Sequence, residues 1–142
     1  DATPTDILAP DARLAGPKPP PALHELEAEI MHEVWRQGET NVKQVMEALN
    51  RSNPTPRAYT TYMTVMQRLD KKGLLSRKRT GRSDTYVPRL SEEEYREGRA
   101  RAQVVGLVDE YGDLALSHFA RALSSVDPAK LRRLRKLARD DH

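Results

Sequence analysis

Residues 58–72 group short hydroxyls, an amide, a thioether and long cations in a pattern that a helix would place on one side. Thr60, Thr64, Gln67 and Lys71 follow at steps of four, three and four, and Thr61, Met63 and Arg68 flank that row. Such side chains suit the edges and backbone of a duplex. Threonine bonds a phosphate or meets a thymine methyl, glutamine bonds an adenine edge, and arginine reaches guanine or a phosphate. A single acid, Asp70, interrupts the stretch, so repulsion of phosphates stays small. Four more cations, Arg77, Lys78, Arg79 and Arg82, follow around Gly81. The same spacing also describes an ordinary solvated helix face, but the adjoining basic segment favours a polyanion. We expect Thr60, Thr61, Met63, Thr64, Gln67 and Arg68 to read bases, and Arg57, Lys71, Arg77, Lys78, Arg79 and Arg82 to hold phosphates.

Other chemistries find little support. The chain has no cysteine, which excludes thiol catalysis, disulfide exchange and thiolate metal sites. It lacks the GxSxG, GxxxxGK[ST] and GxGxxG patterns. Glu29 and His32 have a spacing that can bind metal on a helix, but a di-metal bundle needs a second such pair, and the sequence holds none. We expect no enzyme, no cofactor and no metal.

The elements that would position this face follow from periodicity. Leu23, Leu26, Ile30 and Val34 predict a first helix over about 23–36, with Trp35 in the core and Glu25, Glu29 and Glu33 on the wet side. Asn41 with Gln44 predicts a capped second helix to about Asn50. A third helix over about 58–72 buries Tyr62, Val65, Met66 and Leu69 and stops at Gly73. Residues 74–80 and 85–88 then read as a β-hairpin about a turn at Gly81-Arg82-Ser83-Asp84. Three helices and a basic hairpin form the order of a winged helix-turn-helix domain.

Beyond Ser91 three more amphipathic helices are expected, over about 92–110, 114–123 and 128–140. They have too little mass to enclose a core, so a second copy is expected to cover Tyr95, Val105, Val108, Leu114, Phe119, Leu131 and Leu134. The fold class is thus mainly α (α+β): a proline-rich flexible tail at 1–22, a winged-helix domain at 23–90 and a helical dimerisation region at 91–142. Charge agrees with that division. Residues 51–90 carry ten basic and two acidic groups, whereas residues 23–50 carry two and six, within a chain of 142 residues and net charge +3. No apolar run reaches the length of a membrane span, and the tail lacks the apolar region of a signal peptide, so a cytoplasmic protein is expected.

The segments LEAEIMHEVW (26–35), NVKQVMEAL (41–49), YTTYMTVMQRLDKKGLL (59–75), TGRSDTYVP (80–88) and SEEEY (91–95) resemble the penicillinase-repressor family of bacterial transcription regulators, of the BlaI/MecI type. The resemblance covers about 23–140. It implies a homodimeric winged-helix repressor on a palindromic operator. It also implies release through a sensor-linked protease, with His118-Phe119 where the family often has Asn-Phe. Tyr62 departs from the usual valine or isoleucine, and the proline-rich tail lies outside the usual pattern. The other reading of the residues is a winged-helix interaction module whose basic face meets an acidic protein.

Overall fold

The helix α1, Glu25–Gln37, forms because Ile30 and Val34 recur one turn apart beside Met31, giving one side that must be buried. His24 precedes it in an extended conformation, and its backbone N–H donates to Glu27 Oε1 at 2.9 Å. Gly38 stops it at a φ of 82°. Helix α2, Val42–Arg51, starts at Asn41, whose Oδ1 accepts from the Gln44 N–H at 2.8 Å. Helix α3, Tyr59–Lys71, buries Tyr62, Val65, Met66 and Leu69. This computed structural model describes residues 18–140; the expected flexibility of residues 1–17 lies outside the described residues.

Strands β1, Leu75–Thr80, and β2, Ser83–Pro88, pair antiparallel with Thr80 opposite Ser83. The turn is therefore two residues, Gly81 and Arg82, tighter than the four-residue turn expected. Gly81 takes a φ of 65° at the first central position, which a type II′ turn reserves for glycine. Thr40 extends this ribbon: its N–H donates to Tyr86 O at 2.9 Å, and its carbonyl accepts from the Tyr86 N–H at 2.7 Å. The core lies where α1, α2 and α3 meet the ribbon, and it holds Ile30, Met31, Val34, Val45, Tyr62, Met66, Leu69 and Leu75.

Tyr62 is fully buried and still satisfied, because its hydroxyl donates to Asn50 Oδ1 at 2.7 Å. Asn50 also bonds the Arg57 N–H and carbonyl, each at 3.0 Å, so one side chain ties the α2–α3 turn to the helix that follows. The bulky residue is accommodated by a polar partner at the end of α2.

Two expectations change, and a further acid of α1 is enclosed. Glu33 was placed on the wet face of α1, yet it is 8% exposed, and Arg36 and Gln37 bond its carboxylate. Glu27 is 1% exposed, held by Lys72 Nζ at 2.8 and 3.0 Å. The tail is pinned at its end: Pro21 O accepts from Tyr95 Oη at 2.8 Å, Pro20 O from Arg99 at 3.1 Å, and the Pro20 ring sits where a Cβ on Gly98 would lie only 2.7 Å away.

Helices α4, Glu92–Tyr111, α5, Asp113–Ser124, and α6, Pro128–Asp140, complete the chain. The described residues divide into two units between Arg101 and Ala102, so the start of α4 belongs with the winged-helix unit. The reason is Tyr95. Expected at a dimer interface, it is instead buried in its own unit, with its ring 5.5 Å from Trp35. Trp35, expected in the core, is half-buried and packs against it, and it donates its indole N–H to Leu90 O at 2.8 Å. In the second unit Ala115 is the one buried hydrophobic among the described residues, while Val104, Leu107, Tyr111, Leu114, Leu116, Leu123, Leu134 and Leu137 are exposed.

Candidate nucleic-acid interface

Helix α3 is amphipathic, so burying Tyr62, Val65, Met66 and Leu69 turns Thr60, Thr64 and Lys71 outward, with Met63 and Gln67 at the flank nearer the hairpin. Met63 and Gln67 line a cleft of about 400 Å3 together with Tyr59, the start of α2 (Asn41, Val42, Lys43) and the hairpin residues Arg82, Ser83, Asp84 and Tyr86. One concave surface thus joins α3, the amino end of α2 and the wing. Amide, thioether, phenol, cation and carboxylate all converge there.

The cations sort into two sets. Lys71, Lys78 and Arg82 take part in no ion pair among the described residues, and all three are exposed. The others are already engaged. Arg57 turns to Glu29 at 3.8 Å, and one of its guanidinium nitrogens is buried without a hydrogen bond. Arg68 points toward buried Glu27 at 3.8 Å, on the α1 side of α3. Arg77 lies 3.9 Å from Asp70 and 3.7 Å from Asp84, and Arg79 lies 3.7 Å from Asp84. Arg57, expected on phosphate, and Arg68, expected on bases, thus each lie beside a carboxylate of α1. Sequence spacing could not show this, because both acids come from a helix about 30–40 residues away.

Burial drives the Glu27 carboxyl pKa upward, but the hydrogen bonds from Lys72 and from the His24 N–H outweigh it, so the pKa ends below the ordinary value. The hydrogen bond from Arg36 does the same for Glu33. Burial raises the Tyr86 phenol, opposed by Arg77 beside it.

Sequence reasoning missed Tyr59, Asn41, Lys43 and Asp84. The signal for Lys43 was present, since a helix amino terminus beside a recognition helix is a phosphate position. No such signal existed for Asp84, which read as a turn residue. Glu29 and His32 do not come together with other ligands: no group of three or more metal-binding side chains occurs among the described residues.

A family model described as penicillinase repressor matches residues 23–140. The chain belongs to the penicillinase repressor family. The transcriptional regulator BlaI of Mycobacterium tuberculosis is 34% identical over 114 residues, 78% of this chain and 80% of that protein. The penicillinase repressor of Bacillus licheniformis is 29% identical over 83 residues, 58% of this chain and 62% of that one. A solution structure of the DNA-binding domain of the repressor BlaI aligns at a TM-score of 0.47 and 29% identity, covering 54% of this chain and 90% of that domain. The Bacillus licheniformis BlaI monomeric form in complex with the blaP half-operator aligns at 0.45. The winged helix-turn-helix order read from the sequence is the order observed here. No helix among the described residues is long and apolar enough to cross a membrane.

Proposed function

We propose that this penicillinase repressor family member is a transcriptional repressor that binds duplex DNA as a homodimer, with each winged-helix unit occupying one half of a palindromic operator. The observation that carries the reading is the surface in which Gln67, Met63 and Tyr59 line a cleft rimmed by Lys43 and Arg82. Thr60, Thr61, Met63, Thr64 and Gln67 read bases in this proposal. Lys43, Lys71, Lys78 and Arg82 hold phosphates, and Arg77 and Arg79 reach phosphates only by leaving their acids. The relatives support it through what they are: a transcriptional regulator and a penicillinase repressor.

Dimerisation falls to the second unit. Val104, Leu107 and Tyr111 recur along one side of α4, and Leu123, Leu131 and Leu134 line a groove between α5 and α6. Together with Val105, Val108, Leu114 and Phe119 they are the surface we assign to a second copy. Release by a sensor-linked protease at His118-Phe119 would act in the middle of α5, so that helix must open before the bond is reached.

The test is selection of duplexes from a random-sequence library by the full chain. Enrichment of an inverted repeat, with half-sites a whole number of helical turns apart, is expected. Failure to enrich any sequence, with an acidic polypeptide competing as well as duplex DNA, would overturn the proposal in favour of an acidic protein partner.

A further inference from the structure

Across the junction of α3 and the wing runs a chain of alternating charge, Asp70, Arg77, Asp84 and Arg79, with successive separations of 3.9, 3.7 and 3.7 Å. It differs from the other ion pairs of the basic surface in that its charges are linked in a row along the wing. All of its separations exceed hydrogen-bond length, and its side chains are about a quarter to three-quarters exposed. Pairs of that kind add little stability. What they do change is the field: Asp84 sits between two cations and cancels much of the charge that the wing would otherwise show to a phosphate. The same Asp84 also lines the cleft that holds Met63 and Gln67.

We infer that Asp84 is a specificity-determining residue, an internal counter-ion that suppresses binding to unrelated duplex and faces the base edges in the correct register. The inference rests on the DNA-binding reading above. On random duplex a phosphate must displace Asp84 from Arg77 and Arg79, and it meets a carboxylate on the way, so the contact is discouraged. In the matched register the carboxylate lies against base edges rather than backbone. There it can accept a hydrogen bond from an exocyclic amino group, which cytosine and adenine both offer in the major groove. Its neighbour Arg82 has no ion pair among the described residues and supplies the backbone contact that Asp84 would otherwise repel.

The experiment titrates the full chain and its variants against two probes: the duplex that the wild-type chain itself selects, and a random duplex of equal length. Asp84→Asn frees Arg79 and leaves Arg77 with Asp70 alone. Its affinity for random duplex is expected to rise about ten-fold at 0.1 M salt, and the salt slope to steepen by about one to two. Its affinity for the selected duplex is expected to change less than three-fold or to fall, so the ratio between the two probes drops about ten-fold. Asp84→Glu keeps the charge and should keep most of the ratio. Glu93→Gln, which removes one negative charge from exposed α4, should leave both affinities within two-fold. A second pair guards against a misfolded hairpin: Arg79→Gln, whose charge is already countered, should lose less than three-fold on random duplex, whereas Arg82→Gln should lose about ten-fold. Equal changes on both probes for Asp84→Asn, or equal losses for Arg79→Gln and Arg82→Gln, would overturn the inference. If the wild-type chain selects no duplex at all, it is the DNA-binding reading that fails.

Discussion

The winged-helix unit and the C-terminal helices are built from similar apolar residues put to opposite use. Ile30 is 0% exposed and Leu137 is 64% exposed, yet both sit on amphipathic helices of 13 residues. In the first unit α1, α2 and α3 converge on a β-ribbon, so each stripe finds another within the same chain. In the second, the stripes of α4, α5 and α6 find too little to cover them. A helix stripe predicts burial, but where that burial occurs depends on how many partners the chain itself supplies. The first unit has its core without help. The second leaves Val104, Leu107, Leu114 and Leu137 exposed, and it is there that the proposed second copy is placed.

The largest expected effect breaks the molecule at that boundary. A chain ending at Arg101 retains Tyr95 and its contacts, so it should stay folded and bind a single half-site as the full chain does. On a duplex with two half-sites it should bind about 10²–10⁴-fold more weakly than the full chain, because the linked second contact is gone. Sedimentation and paired titrations check this, and a truncated chain that still sediments as a dimer would place the interface in the wrong unit.

Matched truncations sharpen the contrast within each unit. Ile30→Ala should cost about 2–5 kcal/mol of winged-helix stability, from lost transfer and an unfilled cavity. Leu137→Ala should leave the urea midpoint of the winged-helix unit unchanged and weaken self-association instead. Similar midpoint losses for the two would show that the units share one core.

A smaller effect concerns the buried charge under α3. Lys72→Ala leaves Glu27 with Arg68 at 3.8 Å as its nearest cation, and should cost about 3 kcal/mol, the low end for breaking a buried pair, since Lys72 is itself part-exposed. Because the Glu27 carboxyl is held below its ordinary pKa when folded, its stabilisation is fully present above the unfolded value. It is lost as pH falls through the lowered folded value. Acid melts of Glu27→Gln should therefore show a flatter fall in stability than those of the unaltered chain.

The order of elements and most helix bounds were legible in the sequence, because apolar spacing and glycine stops act locally. Gly73 and Gly81 both lie where the pattern put a break, each with positive φ. What escaped was set by long-range pairing. Thr40 joins the ribbon through Tyr86, 46 residues on, and nothing local marks it. Glu33 read as a wet-face acid until tertiary packing enclosed it, and nothing local singled out Glu27. The site divided the same way: the face of α3 followed from its own period, whereas the fate of Arg57 and Arg68 depended on acids of α1. Tyr95 was misassigned because its stripe could not say which neighbour would cover it.

The central claim, that α3 reads sequence while the wing cation Arg82 holds backbone, is tested most directly by titrating Gln67→Ala and Arg82→Ala on the selected duplex and on random duplex at three salt concentrations. Gln67→Ala should cost about 1–3 kcal/mol on the selected duplex and little on the random one. Arg82→Ala should weaken both alike and lower the salt slope by about one. Equal losses on the two duplexes for Gln67→Ala would contradict the account, because the reading face would then lie elsewhere on the molecule.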